Sequence, residues 1–165
     1  MKLFGKSLPE YVRFEQAILW LILAVGLARL VLSLAGLPNG TVKFFSITVV
    51  FLVGILYVGI RVPQAGFGGY RHLLPLLYLQ AILANGIAIL GIVLARFGLH
   101  NIYAANEYGG NTGARVHVLG HLGVALIGPL VTWLVAALVM WVTRRFVTPS
   151  AAKGATSTPA ARGAN

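Results

Sequence analysis

Two histidines four residues apart, His117 and His121, stand at the start of a long apolar run in the stretch ARVHVLGHLGVAL. On a helix, side chains at positions i and i+4 share one face, so two imidazoles at this spacing can bind one transition-metal ion. A third ligand is needed, and the candidates on the same side are His100 and Glu107. Zinc proteases have a glutamate directly after the first histidine, whereas this chain has Val118. The pair therefore predicts either a metal site without protease chemistry or a polar helix rim that binds nothing.

A b-type haem is a second interpretation of the same histidines. Histidine is a common axial ligand of haem iron, and two axial histidines would have to come from two helices at matching depth. His121 is the deeper of the pair and is the haem candidate, while His100 would have to move inward to become the second ligand. The cofactor expected from the sequence is therefore a transition-metal ion or haem b, if the histidines bind anything.

The sequence does not indicate an enzyme. The chain has no cysteine, and its only acids are Glu10, Glu15 and Glu107, so no thiol nucleophile and no serine–histidine–acid arrangement is indicated. The glycines of GFGG at 66–69 lack the spacing and the Lys-Ser/Thr ending of a phosphate-binding loop. We therefore expect a non-enzymatic protein.

The composition requires a lipid environment for the elements that carry these residues. Of the 165 residues, 58% are hydrophobic and only 10% are charged, whereas a soluble domain has roughly 25% charged residues. Four apolar blocks are each close to the roughly 20 residues that cross a bilayer core. The sequence predicts an all-α integral membrane protein with four transmembrane helices in an up-down bundle. The predicted spans are 15–37, 44–62, 73–97 and 117–143.

The basic residues predict the orientation of the four spans. The net charge is +10, and most Lys and Arg residues flank the two termini and the second loop. Only Lys43, Arg96 and Arg115 lie on the other side, and Arg29 lies within the first span. The positive-inside rule then places both termini in the cytoplasm, and the Ala-, Gly- and Leu-rich composition suggests a bacterial inner membrane. This distribution accounts for the charge without nucleic acid as a partner, so the lipid bilayer is the expected surrounding.

The chain divides into three predicted parts: a cytoplasmic leader (1–14), the transmembrane domain (15–147) and a tail (148–165). The tail consists mainly of Ala, Ser, Thr, Pro and Gly and is predicted to be disordered and cytoplasmic. The first span also has features of a signal peptide that is cleaved after Ala35. We favour an uncleaved span, because its apolar stretch exceeds the roughly 7–15 residues of a signal core.

The longest loop, 98–117, joins the third and fourth spans and is predicted to be external. Its first half is compatible with a continuation of the third helix as far as Gly109. Loops commonly carry binding residues, and this loop holds asparagines, tyrosines and an acid. We therefore expect it to cover whatever site the helices form.

Small residues form one stripe along the third span, at successive steps of four, three and four. Helices in lipid associate through close packing at small residues, so this stripe is predicted to contact another helix. Its members are Ala84, Ala88, Gly91 and Ala95.

Polar residues inside the spans predict a vestibule that opens outward. Intramembrane polar groups are costly and are often functional. The predicted lining residues, besides the two histidines, are Arg29, Ser46, Thr48 and Asn85. The alternative is that each is satisfied locally, by snorkelling to the headgroups or by bonding to its own helix.

The function that the sequence favours is that of a subunit or accessory of a larger membrane assembly, with other membrane proteins or copies of itself as partners. The first alternative is a periplasm-facing metal- or haem-binding protein. The second is a small oligomeric permease or channel lined by Asn85, Gln80 and Arg29. Ion coupling is not expected, because no carboxylate lies in the interior of a predicted span.

Overall fold

The computed structural model describes residues 2–104 and 113–146, apart from the side chain of Asn39. Four helices in this part of the chain are long and apolar enough to cross a membrane, which confirms the prediction of an all-α fold and agrees with a multi-pass membrane protein. A short antiparallel hairpin, Lys2–Leu3 (β1) with Lys6–Ser7 (β2), precedes them. The helices are Leu8–Leu34 (α1), Asn39–Val42 (α2), Ile47–Gln64 (α3), Tyr70–Arg96 (α4) and Ala114–Phe146 (α5), with a 3₁₀ turn at Ile102–Ala104. Glu107 and the predicted disordered tail, 148–165, lie outside the described residues.

Helix α1 begins at Leu8 and so takes in residues that the sequence assigned to a leader. The Glu10 carboxylate accepts hydrogen bonds of 2.7 Å from both the backbone N–H and the hydroxyl of Ser7. This reciprocal contact caps the first turn and stabilises helix before the apolar run starts. Glu15 therefore lies inside α1, where its backbone departs from helical geometry (φ −110°, ψ 16°).

Three of the long helices end in the same glycine-based motif. At the end of α4, the N–H of Leu99 donates to Leu94 O and the N–H of Gly98 donates to Ala95 O. This is the Schellman arrangement, which needs a residue with positive φ after the helix, and Gly98 supplies it with a φ of 83°. The expectation that the third helix continues into the following loop is wrong for residues 97–104, because this motif ends α4 at Arg96. Gly36 and Gly66 occupy the equivalent positions after α1 and α3.

Helix α4 lies at the centre of the bundle and contacts α1, α3 and α5. In the most apolar 18-residue stretch of each helix, 50% of the residues are buried in α4 and 11% are buried in α5. The buried residues of α5 are Pro129, near its midpoint, and Ala136 and Met140 in its second half. Residues 114–128 of α5 therefore pack loosely against the other helices.

Two buried clusters occupy the two ends of the bundle. The first joins Tyr11 near the start of α1, Val62 near the end of α3, Leu73 near the start of α4 and Met140 near the end of α5. We call this the terminal end, because α1 begins there and α5 ends there. The second cluster includes Ile22 of α1, Ile47 of α3 and Ile87 of α4. It lies toward the opposite end, which we call the loop end.

A glycine allows α3 and α5 to approach closely at the terminal end. A Cβ at Gly59 would lie 2.8 Å from Cβ of Val139 and 2.9 Å from the carbonyl oxygen of Ala136. No such contact surrounds Gly86 of α4, where an added Cβ would meet nothing within 4 Å. The two glycines thus form a matched pair for testing helix contact.

We expect Gly59→Ala to lower the free energy of unfolding in detergent by about 1–3 kcal/mol, because the added methyl group overpacks the α3–α5 contact. Gly86→Ala should leave stability unchanged or raise it by up to about 1 kcal/mol, because alanine favours helix. Unfolding of both variants by a denaturing detergent, followed by circular dichroism, measures the difference. Equal stability of the two variants would contradict the close approach at Gly59.

Candidate functional site

A cavity of about 410 Å³ lies toward the loop end of the bundle, between the four long helices and the 3₁₀ turn. Its polar lining combines a cation, two imidazoles, an amide, a hydroxyl and a phenol, which come from five elements. The rest of the lining is apolar, including Ile47, Phe51 and Val124. The polar residues are Arg29, Thr48, Asn85, Tyr103, His117 and His121.

A hydrogen bond between Asn85 and His121 joins α4 to α5 at the cavity wall. The Asn85 amide N–H donates to the Ala81 carbonyl oxygen over 2.9 Å, so its Oδ1 is the acceptor for Nδ1 of His121, also at 2.9 Å. His121 must therefore carry a proton on Nδ1. In the neutral imidazole, Nε2 is then left with a lone pair that can accept a proton or bind a metal.

The rings of His117 and His121 stack, with centroids 5.2 Å apart and planes 24° apart. The structure thus places the two predicted ligands side by side on one helix face. Within residues 2–104 and 113–146, no group of three or more His, Cys, Asp or Glu side chains is placed to bind a metal ion. His100 is exposed and does not line the cavity, so a further protein ligand would have to come from beyond these residues.

The segment after α4 folds back over the bundle and closes one side of the cavity. The Asn101 amide donates to Gly91 O over 2.7 Å, and the backbone N–H of Ile102 donates to the hydroxyl of Ser33 over 2.7 Å. A Cβ at Gly91 would lie 2.6 Å from a ring carbon of Tyr103. Gly91 therefore makes room for this segment, and here the small-residue stripe faces the loop.

Tyr103 connects the loop to α1 inside the cavity. Its hydroxyl donates to Gly26 O over 3.3 Å, and the Arg29 guanidinium lies 5.6 Å from its ring centroid, within the range of a cation–π contact. Burial raises the pKa of Tyr103 to about 12, although the nearby Arg29 opposes this shift. The phenol therefore stays protonated at neutral pH and acts as a donor.

Some of the other predicted residues line the cavity, whereas others do not. Ala84 and Ala88 are buried and line the cavity, whereas Ala95 is only half-buried and does not. Thr48 also lines it, but Ser46 caps α3 by accepting a 3.4 Å hydrogen bond from the N–H of Val49. Of the residues proposed for the vestibule, Ser46 is thus the one used for local structure.

The sequence reasoning missed two features of the interior. Tyr103 was assigned to an external loop, and nothing in its local pattern shows that the loop folds inward. Glu15 was assigned to the edge of the first span, yet its side chain is 0% exposed and its Oε2 accepts a 3.0 Å hydrogen bond from Gln80. Gln80, within the apolar part of the third span, was an available indication of a buried polar partner.

Comparison of the chain with protein families, curated proteins and solved structures found no match. No family can therefore supply a role for any residue.

We expect the Asn85–His121 hydrogen bond to contribute about 0.6–2 kcal/mol of coupling, the range found for polar contacts between membrane helices. A double-mutant cycle with Asn85→Leu and His121→Leu, read from unfolding in detergent, measures that coupling energy. Thr132 provides the control, because its hydroxyl bonds to Gly128 O of its own helix. The Asn85→Leu and Thr132→Val changes should be additive, and a zero coupling for the first pair would contradict the contact.

Proposed function

We propose that this chain is a non-enzymatic membrane protein that binds an amphiphilic small molecule in the cavity at the loop end. The single observation that carries the proposal is the convergence of six polar side chains from separate elements on one cavity with apolar walls. Its volume of about 410 Å³ lies within the roughly 300–1,000 Å³ of small-molecule sites. Sites of this kind join an apolar lining to a few polar groups that orient the ligand.

The lining indicates the chemistry of the ligand. Arg29 offers a permanent positive charge, so the polar part of the ligand should be an anion or a carbonyl; the Tyr103 O–H already donates to Gly26 O. The apolar part would lie against Ile47, Phe51 and Val124. A molecule that dissolves in the bilayer and has an acidic or carbonyl-bearing head combines both properties.

Gly128 offers a direct test, because it lines the cavity and an added Cβ meets only Val124 of its own helix, at 3.6 Å. We expect Gly128→Leu to fill the cavity and remove the bound amphiphile while the protein remains folded. Mild-detergent purification, native mass spectrometry and analysis of the organic extract measure occupancy. Gly120→Leu is the control, because that position is exposed, has nothing within 4 Å and does not line the cavity.

The same purified sample separates the other ligand classes. One equivalent of a transition metal that is lost on His121→Ala or His117→Ala would favour the metal site. A Soret absorption band that disappears with His121→Ala would favour haem b. An empty cavity in both the unmodified protein and the Gly120→Leu control would contradict the amphiphile proposal.

A second candidate function is that of a subunit in a larger membrane assembly, which the low burial of α5 favours. Large apolar side chains along α5 are exposed, including Leu119, Leu126, Leu134 and Trp141. Such a face contacts lipid or another membrane protein. A stable partner, or a second copy of this chain, that copurifies in mild detergent would support this role, and it is compatible with a bound ligand.

The orientation in the membrane is part of the proposal. We expect both termini in the cytoplasm of a bacterial inner membrane, with the helices in up-down order and the cavity toward the outer side, because basic residues concentrate near the terminal end. Reporter fusions after Lys43, Arg71 and Arg145 should report outside, inside and inside, respectively. An outside report after Arg145 would contradict the four-span orientation.

A further inference from the structure

Glu15 and Gln80 form a second polar site, separate from the cavity. Both side chains are 0% exposed, and the Gln80 amide N–H donates to Oε2 of Glu15 over 3.0 Å. Gln80 lies ten residues into α4, or about 15 Å from the start of that helix. Neither residue lines the cavity, so the site is independent of the proposed ligand.

The site is built from three helices. Glu15 lies at the break in α1, and Gln80 belongs to the central helix α4. A Cβ at Gly54 of α3 would overlap Oε1 of Gln80, so this glycine leaves the space that the amide occupies. The polar pair thus has a fitted position in the bundle.

Two buried oxygens at this site have no hydrogen-bond partner: Oε1 of Glu15 and Oε1 of Gln80. Both atoms are acceptors when the carboxyl is ionised. A buried acceptor without a donor is costly, and a buried charge without a counter-charge is more so. A proton on the Glu15 carboxyl removes the charge and adds the one donor that the pair lacks.

The charged and titratable groups on the surrounding elements do not replace that proton. Among the described residues, Glu15 forms no ion pair, and Arg13 of α1 and Arg61 of α3 are exposed. The Tyr11 hydroxyl donates to Leu3 O, while His72 of α4 contacts Phe4 O and the N–H of Gly69. Other titratable groups at this end of the bundle include Glu10 and Lys6, paired with each other at the surface, Tyr57 of α3, Tyr70 of α4, Arg144 of α5 and the exposed Lys2, Arg71 and Arg145.

We infer that Glu15 and Gln80 form a proton-binding site within the bundle, in which a neutral Glu15 carboxyl pairs with the Gln80 carboxamide. The amide N–H donates to one carboxyl oxygen, and the carboxyl O–H is the donor that the amide oxygen lacks. Loss of the proton leaves a carboxylate among apolar side chains at the break in α1. Proton binding therefore stabilises the Glu15–Gln80 contact between α1 and α4.

Infrared spectroscopy of the purified full chain tests the proton directly. We expect a carboxylic-acid C=O stretching band at pH 7 that shifts in D₂O and is lost in Glu15→Gln. Glu10→Gln is the matched control and should retain the band, because Glu10 is exposed and bonds to Ser7. Absence of the band from the unmodified protein would overturn the proposal, whether or not any variant folds.

A second measurement separates a proton from a metal cation. The spectrum should be the same in sodium and in choline chloride if the ligand is a proton, whereas a band that appears only without sodium would overturn the assignment. Gly54→Ala should shift or reduce the band, because the methyl group displaces the Gln80 amide, and Gly86→Ala should leave it unchanged. Neither result depends on whether the loop-end cavity binds an amphiphile.

Discussion

Helices in lipid gain no hydrophobic free energy from contact with one another, so this bundle depends on close backbone approach and on a few polar contacts. Gly59 allows α5 to approach α3, and Gly26 allows Ile47 and Ile87 to pack against α1, where an added Cβ would lie within 2.9 Å of both side chains. Gly91 does the same for the loop. Each of these contacts sets the position of a neighbouring element. The resulting bundle has α4 in contact with the other three long helices.

The polar contacts follow the same arrangement, because the main ones involve α4. Gln80 bonds to α1, Asn85 bonds to α5, and the Tyr78 hydroxyl donates to Leu126 O of α5 over 2.9 Å. Side chains of the central helix α4 thus form hydrogen bonds to α1 and α5.

The fold class could be predicted from the sequence because hydropathy and helix length are local properties. Apart from the start of α1, the predicted boundaries of the four spans differ from the observed helices by three residues or fewer. The predicted span starts at residue 15 whereas α1 begins at Leu8, because hydropathy registers the charges of Glu10 and Glu15 but not the cap that Ser7 provides. Of the cavity, the sequence supplied Arg29, Thr48, Asn85 and both histidines, since polar residues in apolar helices are conspicuous.

The remaining part of the site could not be predicted, because it depends on contacts between residues far apart in the chain. Tyr103 enters the cavity only because Ser33 and Gly91 receive the backbone and side chains of its neighbours. Glu15 is buried because Gly54 and Gln80 lie opposite it, and no spacing rule relates these three positions. Such pairings are properties of tertiary structure.

The unequal lengths of the helices have a consequence for the surrounding bilayer. The 18 residues of α3 span about 27 Å, whereas the uncharged stretch of α5 between Arg115 and Arg144 spans about 42 Å. The hydrocarbon core is roughly 30 Å thick, so α5 exceeds it and must tilt or thicken the membrane around it. Because no described residue of α5 before Pro129 is buried, little apolar packing opposes such a tilt. Hydrophobic mismatch therefore makes the tilt of α5, the helix that carries His117 and His121, depend on the length of the lipid acyl chains.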